Sequence, residues 1–187
     1  MMKRNNFPFS AVLGLNHAKT AILIVLVNPR AGGLLISGPR GIGKSTLMRS
    51  TQELIERPWR DIPVSVTEDR LFGTIDTEKA IYSGQKKLYP GIINEADQGV
   101  LYLDDANLLR EDLLDFILNI AEVGAYQLER DGLSLRCDTS FTVIAAINPE
   151  SGMLSGACLD QFGLFVNVDN IHDENTRVEL SLIHISE

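Results

Sequence analysis

Apolar residues fall along this chain in short unbroken runs, each closed by glycine, proline or charge. "GGLLISG" (Gly32 to Gly38) and "FTVIAAIN" (Phe141 to Asn148) are runs of strand length without polar alternation, the pattern of strands buried on both faces. "GVLYLDD" is a third such run, and "GLFVNV" a last short one. "IPVSVT" is a further strand candidate. Helical periods lie between them. "SAVLGLNHAKTAILIVLVNP" reads as a loop followed by a helix that ends before Pro29. Residues 43 to 56 read as a helix stopped by Pro58. Leu109, Leu113, Phe116, Ile117 and Ile120 recur at the spacing of one helix face. Residues 68 to 98 read as irregular apart from a short helix around Ile92 to Ala96. "AYQLERDGLSLRC" alternates on both sides of Asp131-Gly132, a hairpin signal. Strands alternating with helices predict an α/β fold with a mainly parallel sheet between helical layers.

Composition bounds this picture more than it changes it. Length suits one domain, with a sizeable core from 44% hydrophobic residues. Acidic residues exceed basic ones 25 to 17, a net charge of −8, which argues against sequence-independent nucleic-acid binding. The longest apolar run, Ala21 to Val27, is too short to cross a bilayer. The two cysteines, Cys137 and Cys158, have no metal-ligand spacing and fit a reducing cytoplasm. His17, His172 and His184 are scattered, and Trp59 beside Pro58 reads as a packing residue.

Chemistry enters with "GPRGIGKST". It matches G-x-x-x-x-G-K-[ST] through Gly38, Gly43, Lys44 and Ser45, after a predicted strand and at the start of a predicted helix. Gly38, Pro39, Arg40, Gly41, Ile42, Gly43, Lys44, Ser45 and Thr46 then form a phosphate cradle. Glycines let successive N–H groups converge on an anion, and the helix N-terminus adds partial positive charge. Lys44 reaches the β- and γ-phosphates, and the Ser45 hydroxyl is a Mg²⁺ ligand. Adjacent like charges at the end of a buried strand then gain a purpose. Asp104 is the acid that holds Mg²⁺, and Asp105 the group that activates the attacking water, although it could also cap the helix near Asn107. Asn148 ends another apolar strand. It either orients that water or starts the Asn-Pro turn, and spacing leaves both open.

Five blocks carry a closer likeness. "FPFSAVLGLNHAKTAIL", "TEDRLFGTIDTEKAI", "YPGIINEADQGVLYLDDANLL", "LERDGLSLR" and "NPESG…LDQFGL" resemble the ATPase (I) subunit of magnesium chelatase and its cobalt-chelatase relatives, over roughly residues 7 to 170. The resemblance implies an AAA+ P-loop αβα sandwich with an inserted β-hairpin at residues 125 to 137. It implies ATP and Mg²⁺ as cofactors, with Val12, Leu13 and Gly14 beside the adenine and Asn148 in the sensor-1 role. It implies a ring of like subunits working with a D-type ring and a large porphyrin-binding H-type subunit, hydrolysis driving metal insertion into a tetrapyrrole. The expected division is a nucleotide-binding domain at 7–172, and a truncated start of the helical lid or a non-native tail at 173–187.

The chain departs from that pattern in two chemical places. The family's Asp-Glu pair is Asp104-Asp105, one methylene shorter, and Gln161 stands where the family offers an arginine finger to its neighbour. A glutamine cannot neutralise charge developing in the transition state, so slow hydrolysis is expected. A nucleotide-gated assembly subunit with weak hydrolysis is the alternative. A nucleic-acid remodeller is disfavoured by charge, since Arg130 and Arg136 on the hairpin are offset by Glu129 and Asp131.

Overall fold

The structure, a computed structural model, describes residues 8–75, 88–130 and 132–168. Its centre is a sheet of five strands: β1 (Leu34–Ser37), β2 (Trp59–Ile62), β5 (Val100–Leu103), β8 (Thr142–Ile147) and β9 (Leu164–Asn167). Their order is β2-β5-β8-β1-β9, and every neighbouring pair is parallel. β1, β5 and β8 are buried at every position, which is why they read as continuous apolar runs.

Strand parity divides the core in two. Leu34, Ile36, Val100, Tyr102, Ile144 and Ala146 face α1 (Asn16–Val27) and α2 (Lys44–Gln52). Leu35, Leu101, Leu103, Val143, Ala145 and Ile147 face the other side. There they meet α3 (Glu68–Phe72), α4 (Ile92–Glu95) and α5 (Glu111–Val123). Helices on both faces of a parallel sheet make the expected αβα sandwich.

Two antiparallel ribbons are added. β6 (Ala125–Arg130) pairs with β7 (Leu133–Asp138) in the register Tyr126↔Cys137, so the expected hairpin is present; Asp131 lies outside the described residues. β3 (Gly73–Ile75) pairs with β4 (Leu88–Pro90). The Tyr126 hydroxyl lies 2.8 Å from Phe72 O and 2.6 Å from Asn94 Oδ1, anchoring the hairpin's base to α3 and α4.

Several expectations are corrected. The second strand is Trp59–Ile62, not "IPVSVT", because Pro63 has no N–H to continue a ladder. Arg60 and Asp61 are exposed on this edge strand, which hides it from a search for apolar runs. The described residues between 68 and 98 are more regular than expected: Thr67 caps α3 by accepting from Arg70 N at 3.4 Å, and β3 pairs with β4, while residues 76–87 lie outside the described residues. α2 ends at Gln52 rather than 56; Ser50 and Thr51 there return their hydroxyls to Leu47 O at 2.8 and 2.7 Å. Phe116 is 59% exposed, and α5 instead buries Leu114 and Leu118 beside Leu113, Ile117 and Ile120. The stripe is wider than one residue per turn, and Phe116 sits at its border, edge-on to Phe72 at 6.1 Å. The boundary expected at residue 172 and the tail at 173–187 lie outside the described residues.

Candidate functional site

Parallel register brings three loops to one edge of the sheet. Ser37 pairs with Ile147, and Leu103 with Ala145, so β1, β5 and β8 end side by side. From these ends leave the loop Gly38–Gly43, the pair Asp104-Asp105, and Asn148. The carboxyl edge of a parallel sheet is where α/β folds bind ligands.

The loop after β1 is shaped by close packing. Gly38 N donates to Ile147 O at 3.2 Å. A Cβ on Gly38 would lie 2.4 Å from Val168 O, so no larger residue fits there. Gly41 and Gly43 have φ of 81° and 90°, a region glycine adopts without strain. α2 then starts at Lys44, its N-terminus opening on the cleft.

Lys44 is 7% exposed, and its Nζ donates to Gly38 O at 2.6 Å and Pro39 O at 2.8 Å. Burial lowers its pKa from the ordinary 10.5, and the charges of Asp105 and Asp104 oppose that shift. Ser45 Oγ donates to Asp104 Oδ2 at 2.9 Å, joining helix start and strand end. Asp105 has φ 50°, a strained conformation for a non-glycine residue, and makes no cap bond to the 3-10 turn at Ala106–Leu108. The helix-cap reading of Asp105 therefore does not hold. Its carboxylate lies 3.6 Å from Arg40 Nη2 instead. A cleft of about 360 Å³ is lined by Arg40, Gly41, Gly43, Lys44, Ser45 and Thr46 with Asp104 and Asp105.

Asn148 is placed differently. It is 2% exposed, its Oδ1 accepts from Glu150 N at 3.2 Å, and its Nδ2 donates to Ser151 Oγ at 3.2 Å. The side chain thus serves the Asn-Pro turn and does not line the cleft, although β8 sets its backbone between the other two loops. Val12 is buried in the core beside α1, and its carbonyl accepts from Lys19 Nζ. Leu13 and Gly14 follow it, and Leu15 approaches Gly43, its Cδ1 3.9 Å from where a Cβ would stand. Gln161 ends α6 (Gly156–Asp160), and its Nε2 donates to Ala157 O at 3.3 Å.

Sequence reasoning missed three groups. Arg40 is expected in the phosphate cradle, but its ion pair with Asp105 is not legible in the sequence. Asn107 Nδ2 donates to Asn148 O at 3.2 Å and Gly152 O at 3.0 Å, bracing the turn after β8 from the loop after β5. The amide two residues after Asp105 is the available signal. Tyr102 is the single polar residue in the buried run of β5; burial, then Asp104's charge, raises its pKa.

Comparison with known proteins agrees with this geometry. The family description "AAA domain (dynein-related subfamily)" matches residues 33–161. The magnesium-chelatase 38 kDa subunit of Cereibacter sphaeroides is 37% identical, over 93% of this chain and 62% of its own length. The magnesium-chelatase subunit ChlI of Cyanophora paradoxa is 34% identical, over 96% and 64%. A ChlI homolog from Methanocaldococcus jannaschii is 33% identical, over 96% and 60%. The chain therefore spans a little under two thirds of the length of these curated relatives. Among solved structures, a chain from the complex between subunits BchI and BchD of magnesium chelatase superposes with a TM-score of 0.81 at 36% identity. That match covers 96% of this chain and 66% of the other.

Proposed function

The chain belongs to the AAA family, in its dynein-related subfamily, and from that premise we propose that it is a Mg-ATP-binding ATPase subunit of the magnesium-chelatase I type. In this reading it couples ATP binding and hydrolysis to metal insertion into a tetrapyrrole. One observation carries the proposal: the Ser45–Asp104 bond at 2.9 Å joins the start of a phosphate-binding helix to the acid at the end of β5. Two hard oxygen donors at that separation, beside a cleft of phosphate-loop residues, fit Mg²⁺ with a nucleotide.

Ser45 and Asp104 would hold Mg²⁺, which when bound supplies charge neutralisation at the phosphate oxygens. The backbone from Gly38 to Thr46 cradles the phosphates. Lys44, now held by Gly38 O and Pro39 O, exchanges those neutral acceptors for phosphate charge. Val12, Leu13 and Gly14 border the adenine. Asp105 accepts the proton of the attacking water, a role that requires release from Arg40. Asn148 orients that water, a role that requires its amide to leave the turn at Glu150 and Ser151.

Hydrolysis is slow in this reading, for two chemical reasons. The Asp105 carboxylate is one methylene short of the family's glutamate, and Gln161 brings no positive charge to a neighbour's phosphate. Partners follow the resemblance: a ring of like subunits, a D-type subunit and an H-type porphyrin-binding subunit. A cytoplasmic location accords with a chain whose described helices include none long and apolar enough to cross a membrane.

Calorimetric titration and a steady-state ATPase assay test the proposal. Wild type is expected to bind Mg-ATP tightly and turn it over slowly, and Lys44→Ala to bind none. Asp105→Glu with Gln161→Arg is expected to raise kcat about tenfold or more, since an arginine finger alone is worth ~10³ in other P-loop enzymes. Failure of wild type to bind Mg-ATP would sink the nucleotide reading. A brisk wild-type rate, unchanged in the double variant, would sink only the slow-hydrolysis part.

A further inference from the structure

The loop after β1 places two cations at different depths of the cleft. Lys44 lies at the floor, 7% exposed, with Nζ held by Gly38 O and Pro39 O. Arg40 stands at the rim, its side chain 66% exposed. The crest that carries it is open: a Cβ on the next residue, Gly41, would meet nothing within 4 Å. An arginine on such a crest changes rotamer freely. Its guanidinium meets Asp105 Oδ2 at 3.6 Å, beyond hydrogen-bond length. That contact therefore uses none of the five N–H donors of a guanidinium. Arg40 and Asp105 line the same cleft as Lys44 and Ser45. One cation thus faces the inside of the cleft, and the other is placed by the acid at its mouth.

We propose that Arg40 is a specificity-determining residue whose guanidinium turns from Asp105 to the terminal phosphate of the nucleotide, so that the chain tells a triphosphate from a diphosphate. The inference rests on the Mg-ATP reading above. In that reading Asp105 faces the attacking water, and the water must stand against the terminal phosphorus. The Asp105 carboxylate therefore marks the end of the cleft that a triphosphate reaches and a diphosphate does not. Arg40 is paired at that end. A terminal phosphate carries about two negative charges and three acceptor oxygens, against the single charge of Asp105. The planar fork of a guanidinium also matches two phosphate oxygens at once. Little opposes the move, because a long, exposed ion pair contributes little. Lys44 and the loop N–H groups hold the inner phosphates of ATP and ADP alike. The Arg40 contact is the part of recognition that ADP cannot make, and forming it leaves the Asp105 carboxylate to the water.

Arg40→Ala in the full chain separates this role from a part in shaping the loop. Calorimetric titrations with Mg²⁺ compare the non-hydrolysable triphosphate AMP-PNP with ADP. The variant is expected to bind AMP-PNP about tenfold more weakly, equivalent to about 1.4 kcal/mol, with ADP binding and ligand-free thermal unfolding unchanged. Arg40→Lys, which keeps the charge but not the fork, is expected to lose part of that affinity. Asp105→Asn weakens the competing partner, so it is expected to tighten AMP-PNP binding more in wild type than in the Arg40→Ala background. Equal losses for AMP-PNP and ADP in Arg40→Ala, no loss for either, or equal tightening by Asp105→Asn in both backgrounds would each overturn the inference. Wild type that binds neither nucleotide would overturn the Mg-ATP reading as well.

Discussion

Lys44 carries a charge where burial penalises it and the acid pair only partly compensates. A bound phosphate favours the protonated form, so binding raises this pKa. The sign follows: affinity is full below the lowered pKa of the free protein and declines as pH rises through it, sooner than for a lysine of 10.5. Calorimetry from pH 7 to about pH 10 is expected to show the decline in wild type. Lys44→Arg, weaker throughout, is expected to stay flat, because a guanidinium remains charged over that range. Parallel profiles would mean that another group sets the pH dependence. By contrast, Arg40 and Asp105 pair at 3.6 Å with Arg40 66% exposed, and pairs of that kind contribute little to stability. Their contact matters for where the Asp105 carboxylate points.

At the scale of elements, α5 gives the sharpest contrast. Ile117 is fully buried against the sheet, and Phe116, its chain neighbour, is 59% exposed. Ile117→Ala is expected to destabilise by about 2–5 kcal/mol and Phe116→Ser by about 1 kcal/mol or less, read by chemical denaturation. Similar losses would mean that the helix presents a different face to the core. The same helix shows how far the sequence can be read. Its period was legible; the width of its buried stripe was not, because that depends on Phe72 and Phe116 meeting from separate helices. The phosphate loop and the acid pair were legible because their chemistry lies in local spacing. Strand order was not, since β5, β8 and β1 become neighbours by pairing across long separations. Trp59–Ile62 escaped notice because an edge strand shows two polar residues to solvent. Asn148 stayed ambiguous because one Asn-Pro dipeptide serves both a turn and a strand-end amide, and its bonds in this structure serve the turn.

At the scale of the whole molecule, some apolar side chains stand on outer surfaces. α1 exposes Leu23, Ile24 and Val27, and the edge strand β9 exposes Phe165. Apolar side chains on an outer helix and an open sheet edge favour association with another surface. Each copy also carries a net charge of −8, so copies repel at long range unless salt screens them. Mass measured by sedimentation is expected to rise with Mg-ATP at moderate salt and to rise less at very low salt. A single mass under all conditions would count against a ring. The same charge makes retention on DNA at low salt an unexpected result.

The Asn107 amide has a mechanical consequence. By holding Asn148 O and Gly152 O together, it gears the loop after β5 to the loop after β8. The segment that carries the acid pair is thereby tied to the Pro149–Ser151 turn, and that turn runs on through Ser155 into α6, which ends at Gln161. From the phosphate end to the turn before α6, this amide is a bonded route. Asn107 is the linkage in that drive train, and its length is fixed by one carboxamide.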